Sequence, residues 1–303
     1  NNSNHLSVEM FYQLAALMVL VFVSGNLPVL EQEEHHTKEY QISHSSTEEE
    51  LKLERTKRGL GSLLGLSRDK RGAKSAVIFL HGLGPALSGF CKTLLGPGLG
   101  LKKNVLVRCP QAKLESVGVI PATFIPGVSS ASRVRSWFNF WLMPGLSVVS
   151  PTPGESKEGL DAAMRRVESI IEELNQEGVA SENIVLSGMS QGGALTLYTA
   201  VNTSYKLAGF VAMVAWMPLL NTEPSSGWQA VNKDTPVFLM NGQPDLIVPL
   251  VPAGSKTSEA LGSVFSRFTY RTVLGTHATT VNPLTIPLLH RWLKSNTPLG
   301  FKT

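Results

Sequence analysis

From Ala73 onward, short apolar runs alternate with amphipathic ones. Strands are predicted at 76–80, 104–108, 183–187, 209–215, 236–240 and 265–274, and the first of them is apolar throughout. An uninterrupted apolar strand is expected where helices cover both faces of a parallel sheet. Between the second and third strands, Leu160, Ala163, Met164, Val167, Ile170, Ile171 and Leu174 repeat at spacings of three and four. That is the buried stripe of an amphipathic helix. Further helices are expected over 192–200, 255–261 and 283–294. Residues 111–155 are rich in Pro, Gly and Ser, with apolar and aromatic pieces between. Alternating strands and helices predict an α/β fold: a doubly wound, mostly parallel sheet with helices on both faces.

The first 72 residues do not continue this pattern. Within 1–30, the apolar run at 14–23 is followed by Ser24 and Gly25. It is shorter than the ~20 residues a membrane-spanning helix needs, so it reads as a signal-like segment. No Lys or Arg precedes it, and a buried or interfacial helix is the alternative reading. Residues 31–72 read as a disordered pro-segment or linker, acidic and polar in its first part. It carries Arg55-Thr56-Lys57-Arg58 and Arg68-Asp69-Lys70-Arg71, each followed by glycine. Both resemble sites cut by secretory-pathway proprotein convertases. The expectation is a secreted protein trimmed to about Gly72, with a catalytic domain over 73–303.

Composition narrows the picture. The chain has 303 residues, 43% apolar and 17% charged, the proportions of an ordinary soluble protein. Its net charge of +4 divides into −2 over 1–72 and +6 over the rest. No basic run interleaved with aromatics suggests nucleic acid as a partner. The basic domain is compatible with transient contact at an anionic membrane surface, although a solvated face is the plainer reading. Cys91 and Cys109 show no metal-ligand spacing and, lying among apolar residues, are expected as buried thiols.

The stretch that carries chemistry is Gly188-Met189-Ser190-Gln191-Gly192. A predicted strand precedes it and a predicted helix follows. A serine on so sharp a turn is the nucleophile elbow of α/β-hydrolases, the alternative being a glycine-rich βα turn with no chemistry. Glycines on either side permit the tight reversal, and the helix start presents N–H groups to the same spot. A serine nucleophile needs a base, and the base an orienting acid. In open α/β sheets these lie at the carboxyl ends of strands, and in this superfamily they follow the serine in the order acid, then histidine.

Of the seven histidines only His277 and His290 follow Ser190. His290 falls inside the last predicted helix, so a structural role is expected there. His277 sits in the turn after the last strand and is the candidate base. Asp234 precedes a strand and lies at the wrong edge. Asp245 follows that strand, and its alternative reading is a turn residue capping its own loop. The candidate oxyanion donors are the N–H groups of Gln191 and of Leu83, the latter in His81-Gly82-Leu83-Gly84 after the first strand. His81 is read as structural.

The same residues carry a resemblance. His81-Gly82-Leu83-Gly84, Cys109-Pro110, Ser136-Trp137-Phe138, the elbow with Gly193-Ala194-Leu195, Lys206-Leu207-Ala208-Gly209, Trp216 with Pro218-Leu219, and Val248-Pro249-Leu250 stand in the order found in acyl-protein thioesterases. From about Lys74 to Lys294 the chain resembles that phospholipase/carboxylesterase family. The resemblance implies an α/β-hydrolase fold without a large cap and a triad of Ser190, Asp245 and His277. It implies oxyanion donors at Leu83 and Gln191, and no metal or cofactor. Its substrates would be S-acyl proteins, lysophospholipids or small carboxylic esters, and its location cytoplasmic as the alternative to secretion.

Pro85 stands where the family has Asp after the glycine-rich loop, Asn139 replaces the Asp after Ser136-Trp137-Phe138, and Gln243 replaces the first Asp of the later motif. Phe124, Trp137, Phe138 and Trp216 are candidates for an acyl-binding groove. These departures leave room for a second reading, a catalytically weak lipid- or acyl-chain-binding protein on the same fold.

Overall fold

The structure, a computed structural model, describes residues 75–84, 91, 95, 99–116, 133–139, 155–220, 228 and 230–302. The signal-like segment, the pro-segment with its two basic tetrads, Pro85 and Phe124 lie outside the described residues.

Six parallel strands form the central sheet: β1 (Ser75–Leu80), β2 (Val105–Arg108), β5 (Ile184–Met189), β6 (Gly209–Met213), β7 (Val237–Gln243) and β8 (Phe268–Leu274). Their order in the sheet is β2-β1-β5-β6-β7-β8. The chain moves outward from β1 to β2, then returns to the other side of β1 with β5. The order therefore reverses between β1 and β5, and in open α/β sheets ligands bind beyond the carboxyl ends of the strands at such a switch point.

Side-chain alternation divides the core in two. Ala76, Ile78 and Leu80 of β1, Ile184 and Leu186 of β5, Phe210 and Ala212 of β6, and Val237 and Leu239 of β7 pack on one face. Val77 and Phe79, Val185, Val211 and Met213, and Phe238 and Met240 pack on the other. Each fully buried Val, Leu, Ile or Phe contributes roughly 1.5–3 kcal/mol relative to an exposed one. Both faces must be covered, so an apolar residue is favoured at every strand position.

The first face is covered by α1 (Lys157–Gln176), α2 (Gln191–Asn202) and α3 (Ser255–Val264). The predicted α1 stripe is the buried one: Leu160, Ala163, Val167, Ile171 and Leu174 are buried, with Met164 and Ile170 partly so. Ser156 caps this helix by accepting the Gly159 N–H at 3.0 Å, an N-cap bond worth about 1 kcal/mol. The helix α2 is buried along nearly its whole length and carries apolar residues on all sides, the signature of a helix inside the protein. The second face is covered in part by α4 (Ile286–Asn296) through Leu289, Trp292 and Leu293.

The structure adds one feature to the predicted strands and corrects one expectation. Within 111–155, β3 (Lys113–Ser116) and β4 (Arg133–Ser136) pair antiparallel as a separate two-stranded sheet. Both are only four residues long and polar at alternate positions, too short for periodicity to betray them. The cysteines are joined as a Cys91–Cys109 disulfide rather than standing as two thiols. Adjacency of β1 and β2 delivers Cys109 at the end of β2 to within 6.4 Å, Cα to Cα, of Cys91, inside the range a disulfide spans. That proximity is tertiary and leaves no trace in the spacing.

Candidate active site

Ser190 stands between the end of β5 and the start of α2 with φ 54° and ψ −122°. For a residue with a side chain this is a strained conformation, costing of the order of 1–3 kcal/mol and held only by surrounding structure. That structure is explicit. The Ser190 N–H donates to Met213 O of β6 at 2.9 Å, and its carbonyl accepts the Ala194 N–H at 2.8 Å. A Cβ on Gly188 would run into the Gly192 backbone, and one on Gly192 into the carbonyls of Leu80 and His81. A Cβ on Gly193 would lie 2.7 Å from Ala215 Cβ. The glycines let β1, β5 and the helix start press together, which forces the serine outward.

His277 reaches the same point from β8. Its Nε2 lies 2.9 Å from Ser190 Oγ, and its Nδ1 lies 2.9 Å from Asp245 Oδ2. An ionised carboxylate only accepts, so the proton sits on Nδ1, and Nε2 is left to accept from the serine hydroxyl. The other carboxylate oxygen, Oδ1, accepts the Ile247 and Val248 N–H groups, each at 2.9 Å. Asp245 thus caps its own turn and faces the imidazole at once; the two readings offered for it describe different oxygens of one group. The Asp245 side chain is fully buried beside a 16% exposed His277.

The turn bearing His277 is built from threonines. Thr276 N–H donates to Thr279 Oγ1 at 2.8 Å, and Thr280 Oγ1 donates to Thr276 O at 2.7 Å. It docks on Gly242 of β7, where a Cβ would collide with Thr280 Oγ1 and Gly275 O. Asn241, next to it and fully buried, accepts the Ala215 N–H at 3.1 Å and donates to Ala215 O at 3.2 Å. Its amide extends the β6–β7 pairing past the end of the strand. Neither residue was singled out for a function from the sequence. A polar Asn directly after the apolar run Val237-Phe238-Leu239-Met240, followed by glycine, is the signal that marks them.

The loop after β1 lies alongside the serine. A Cβ on Gly82 would fall 3.2 Å from Ser190 Cβ and 3.8 Å from its Oγ, so Leu83 is one residue from the close approach. His81 is structural, as expected. Its ring is buried, its Nε2 accepts the Ala112 N–H at 3.0 Å, and its Nδ1 faces Gly82 O. His290 is likewise structural, its ring edge-on to Phe301 in the second core. Asp234 bonds Ser266 at the opposite edge of the sheet.

Three of the four proposed groove residues lie among the described residues, and these three fall elsewhere. Trp137, Phe138 and Trp216 are 5%, 4% and 1% exposed and belong to the first core. The Trp137 indole donates to His81 O at 2.8 Å and the Trp216 indole to Glu155 Oε1 at 2.8 Å. An indole N–H satisfied inside the protein and a ring enclosed on all sides describe core, not an open wall. Among the described residues no group of His, Cys, Asp or Glu is placed to hold a metal ion.

With this geometry in place, comparison with known proteins is decisive about kinship. The phospholipase/carboxylesterase family profile matches residues 126–286. The chain belongs to the phospholipase/carboxylesterase family. It is 33% identical over 184 residues to acyl-protein thioesterase 1 of Kluyveromyces lactis, covering 59% of this chain and 72% of that protein. It is 32% identical over 177 residues to acyl-protein thioesterase 1 homolog 2 of Dictyostelium discoideum, covering 57% and 71%. Two solved structures share the fold. Arabidopsis thaliana SOBER1 matches with a TM-score of 0.60 at 23% identity over 74% of this chain and 99% of that one. Zea mays acyl-protein thioesterase 2 matches with a TM-score of 0.57 at 21% identity over 76% and 96%. As a phospholipase/carboxylesterase the chain is an ester or thioester hydrolase on an α/β-hydrolase fold, with no large cap among the described residues.

Burial holds the His81 imidazole below its ordinary pKa of 6.5, outweighing the bond to Gly82 that raises it. Between the lowered value and 6.5 the unfolded chain binds a proton that the folded chain does not, so stability rises with pH across that interval. Urea unfolding should therefore give a lower free energy at pH 5 than at pH 7, with a shallower dependence in His81→Gln. An unchanged slope in that variant would show that His81 is not the group responsible.

Proposed function

We propose that the chain hydrolyses acyl esters or thioesters through a Ser190–His277–Asp245 triad and a covalent acyl-enzyme. The observation that carries the reading is the unbroken chain of contacts from Ser190 Oγ to His277 Nε2 and from His277 Nδ1 to Asp245 Oδ2, each 2.9 Å. Ser190 Oγ attacks the acyl carbonyl carbon while its proton passes to His277 Nε2. The tetrahedral oxyanion is met by the N–H groups of Gln191 and Leu83, each such donor worth a hundred- to thousandfold in turnover. Collapse breaks the bond to sulfur or oxygen, and the proton on Nε2 goes to the departing thiol or alcohol. Water then gives its proton to the same nitrogen and attacks the acyl-enzyme; collapse breaks the bond to Ser190 Oγ, which takes the proton back from Nε2 as the acid leaves. Asp245 holds the tautomer and stabilises the imidazolium without itself taking the proton.

The acyl donor we favour is a long-chain one, an S-acyl protein or a lysophospholipid. The relatives named acyl-protein thioesterase support it. Fluorophosphonate labelling tests the triad. Wild type should label and hydrolyse p-nitrophenyl and thioester substrates. Ser190→Ala should lose labelling and roughly 10⁵-fold or more of kcat, and Asp245→Asn about 10⁴-fold. Folded wild type that neither labels nor turns over would favour the acyl-chain-binding reading instead.

The Cys91–Cys109 disulfide supports a second proposal, passage through an oxidising compartment. That route agrees with the signal-like segment and the two basic tetrads, and cleavage near Gly72 is the processing expected of it. Intact mass of protein from its native source should start there and rise by two hydrogens on reduction. A product that retains 31–71 with both thiols free would contradict this route.

A further inference from the structure

The Gln191 side chain is completely buried, and both ends of its amide are bonded. Its Oε1 accepts the Trp137 N–H at 3.1 Å, and its Nε2 donates to Ser136 Oγ at 2.8 Å and to Phe138 O at 2.7 Å. Ser136 Oγ in turn donates to Phe138 O at 2.7 Å. A short strap at the end of β4 is thereby fastened to the first residue of α2, immediately after the nucleophile.

The other side of the strap holds the loop after β1 at two points. The Gly84 N–H donates to Arg135 O at 3.0 Å, and the Trp137 indole N–H donates to His81 O at 2.8 Å. These bonds bracket Leu83 from both sides. The His81 and Trp137 rings also meet in a tilted contact, with centroids 5.2 Å apart. The residues that bring the two oxyanion donors together, Leu83 and Gln191, thus belong to segments far apart in sequence, with the strap as a side-chain link between them.

Resting on the triad reading above, we propose that the Gln191 amide and the Trp137 indole are positioning groups for catalysis. Gln191 offers its backbone N–H to the oxyanion, and its side chain, through the strap, sets where the Leu83 N–H stands. The strap explains why a fully buried glutamine follows the nucleophile. Burying that amide among apolar side chains is costly unless every bond is made, and here each one ties the strap to the residue that follows the nucleophile. It also gives Trp137 a task other than lining a groove.

The tests are Gln191→Met, which keeps the volume and removes the amide, and Trp137→Phe, which removes the indole N–H and keeps a ring. Each should lower kcat for a p-nitrophenyl ester about ten- to a hundredfold, the scale of an ångström-sized misplacement. KM should stay within about twofold, because the lost interaction is made in the transition state. The rate of fluorophosphonate labelling should fall in parallel, since the phosphoryl oxygen enters the same two donors. Because both residues act through one link, the double variant should lose clearly less than the product of the two single losses. Assays run well below each variant's Tm separate these effects from unfolding, and Trp137→Phe alone decides the matter if Gln191→Met does not fold. Unchanged kcat in a folded variant, or losses that multiply independently, would overturn the proposal while leaving the triad intact. Wild type without Ser190 labelling would overturn the triad and the strap together.

Discussion

At the switch point between β1 and β5, three pieces of backbone approach one another more closely than side chains allow. Gly188 and Gly192 fold the elbow onto itself and onto the end of β1, Gly193 seats the helix against Ala215, and Gly82 lies against Ser190. The positive φ of Ser190 follows from that contact and is kept by the bond from its N–H to β6. The outward turn of the half-buried serine is thus a consequence of packing. The energy that maintains it comes from the two apolar cores on either face of the sheet, which leave the central strands no freedom to relax.

A second close approach positions His277. Gly242 admits the threonine-rich turn of His277 onto the end of β7, the strand that also delivers Asp245. The imidazole therefore has its acid on one side and the serine on the other without a long, mobile side chain between them. Asp245 is tied by two backbone N–H groups as well as by the imidazole. Bonds of this kind to a buried carboxylate make a fixed electrostatic partner, which suits a group that orients a base rather than exchanging protons itself.

Much of this was legible in the sequence because its physics is local. Strand period, helix stripe, the glycines of the elbow and the rule that sites follow strand ends together singled out Ser190, Asp245 and His277. The His290 and His81 assignments follow from the same reasoning, one being inside a helix and the other before the nucleophile. What escaped was created by tertiary contact. The Cys91–Cys109 bond depends on β1 lying beside β2. Asn241 has its role only because β6 and β7 end together. Trp137, Phe138 and Trp216 looked like an apolar wall because hydropathy records that a ring is buried, not what covers it. Their indole hydrogen bonds, and the reach of Gln191 across to the strap, become visible only when the β4 end is placed against the elbow.

The central claim is that Ser190 carries the acyl group between two half-reactions. Rapid quenching of the enzyme with a long-chain acyl thioester, followed by intact-protein and peptide mass spectrometry, tests it directly. The account predicts a transient adduct of one acyl chain, lost as product accumulates and confined to the peptide containing Ser190. Turnover with no covalent adduct at any quench time, or an adduct on another residue, would contradict it.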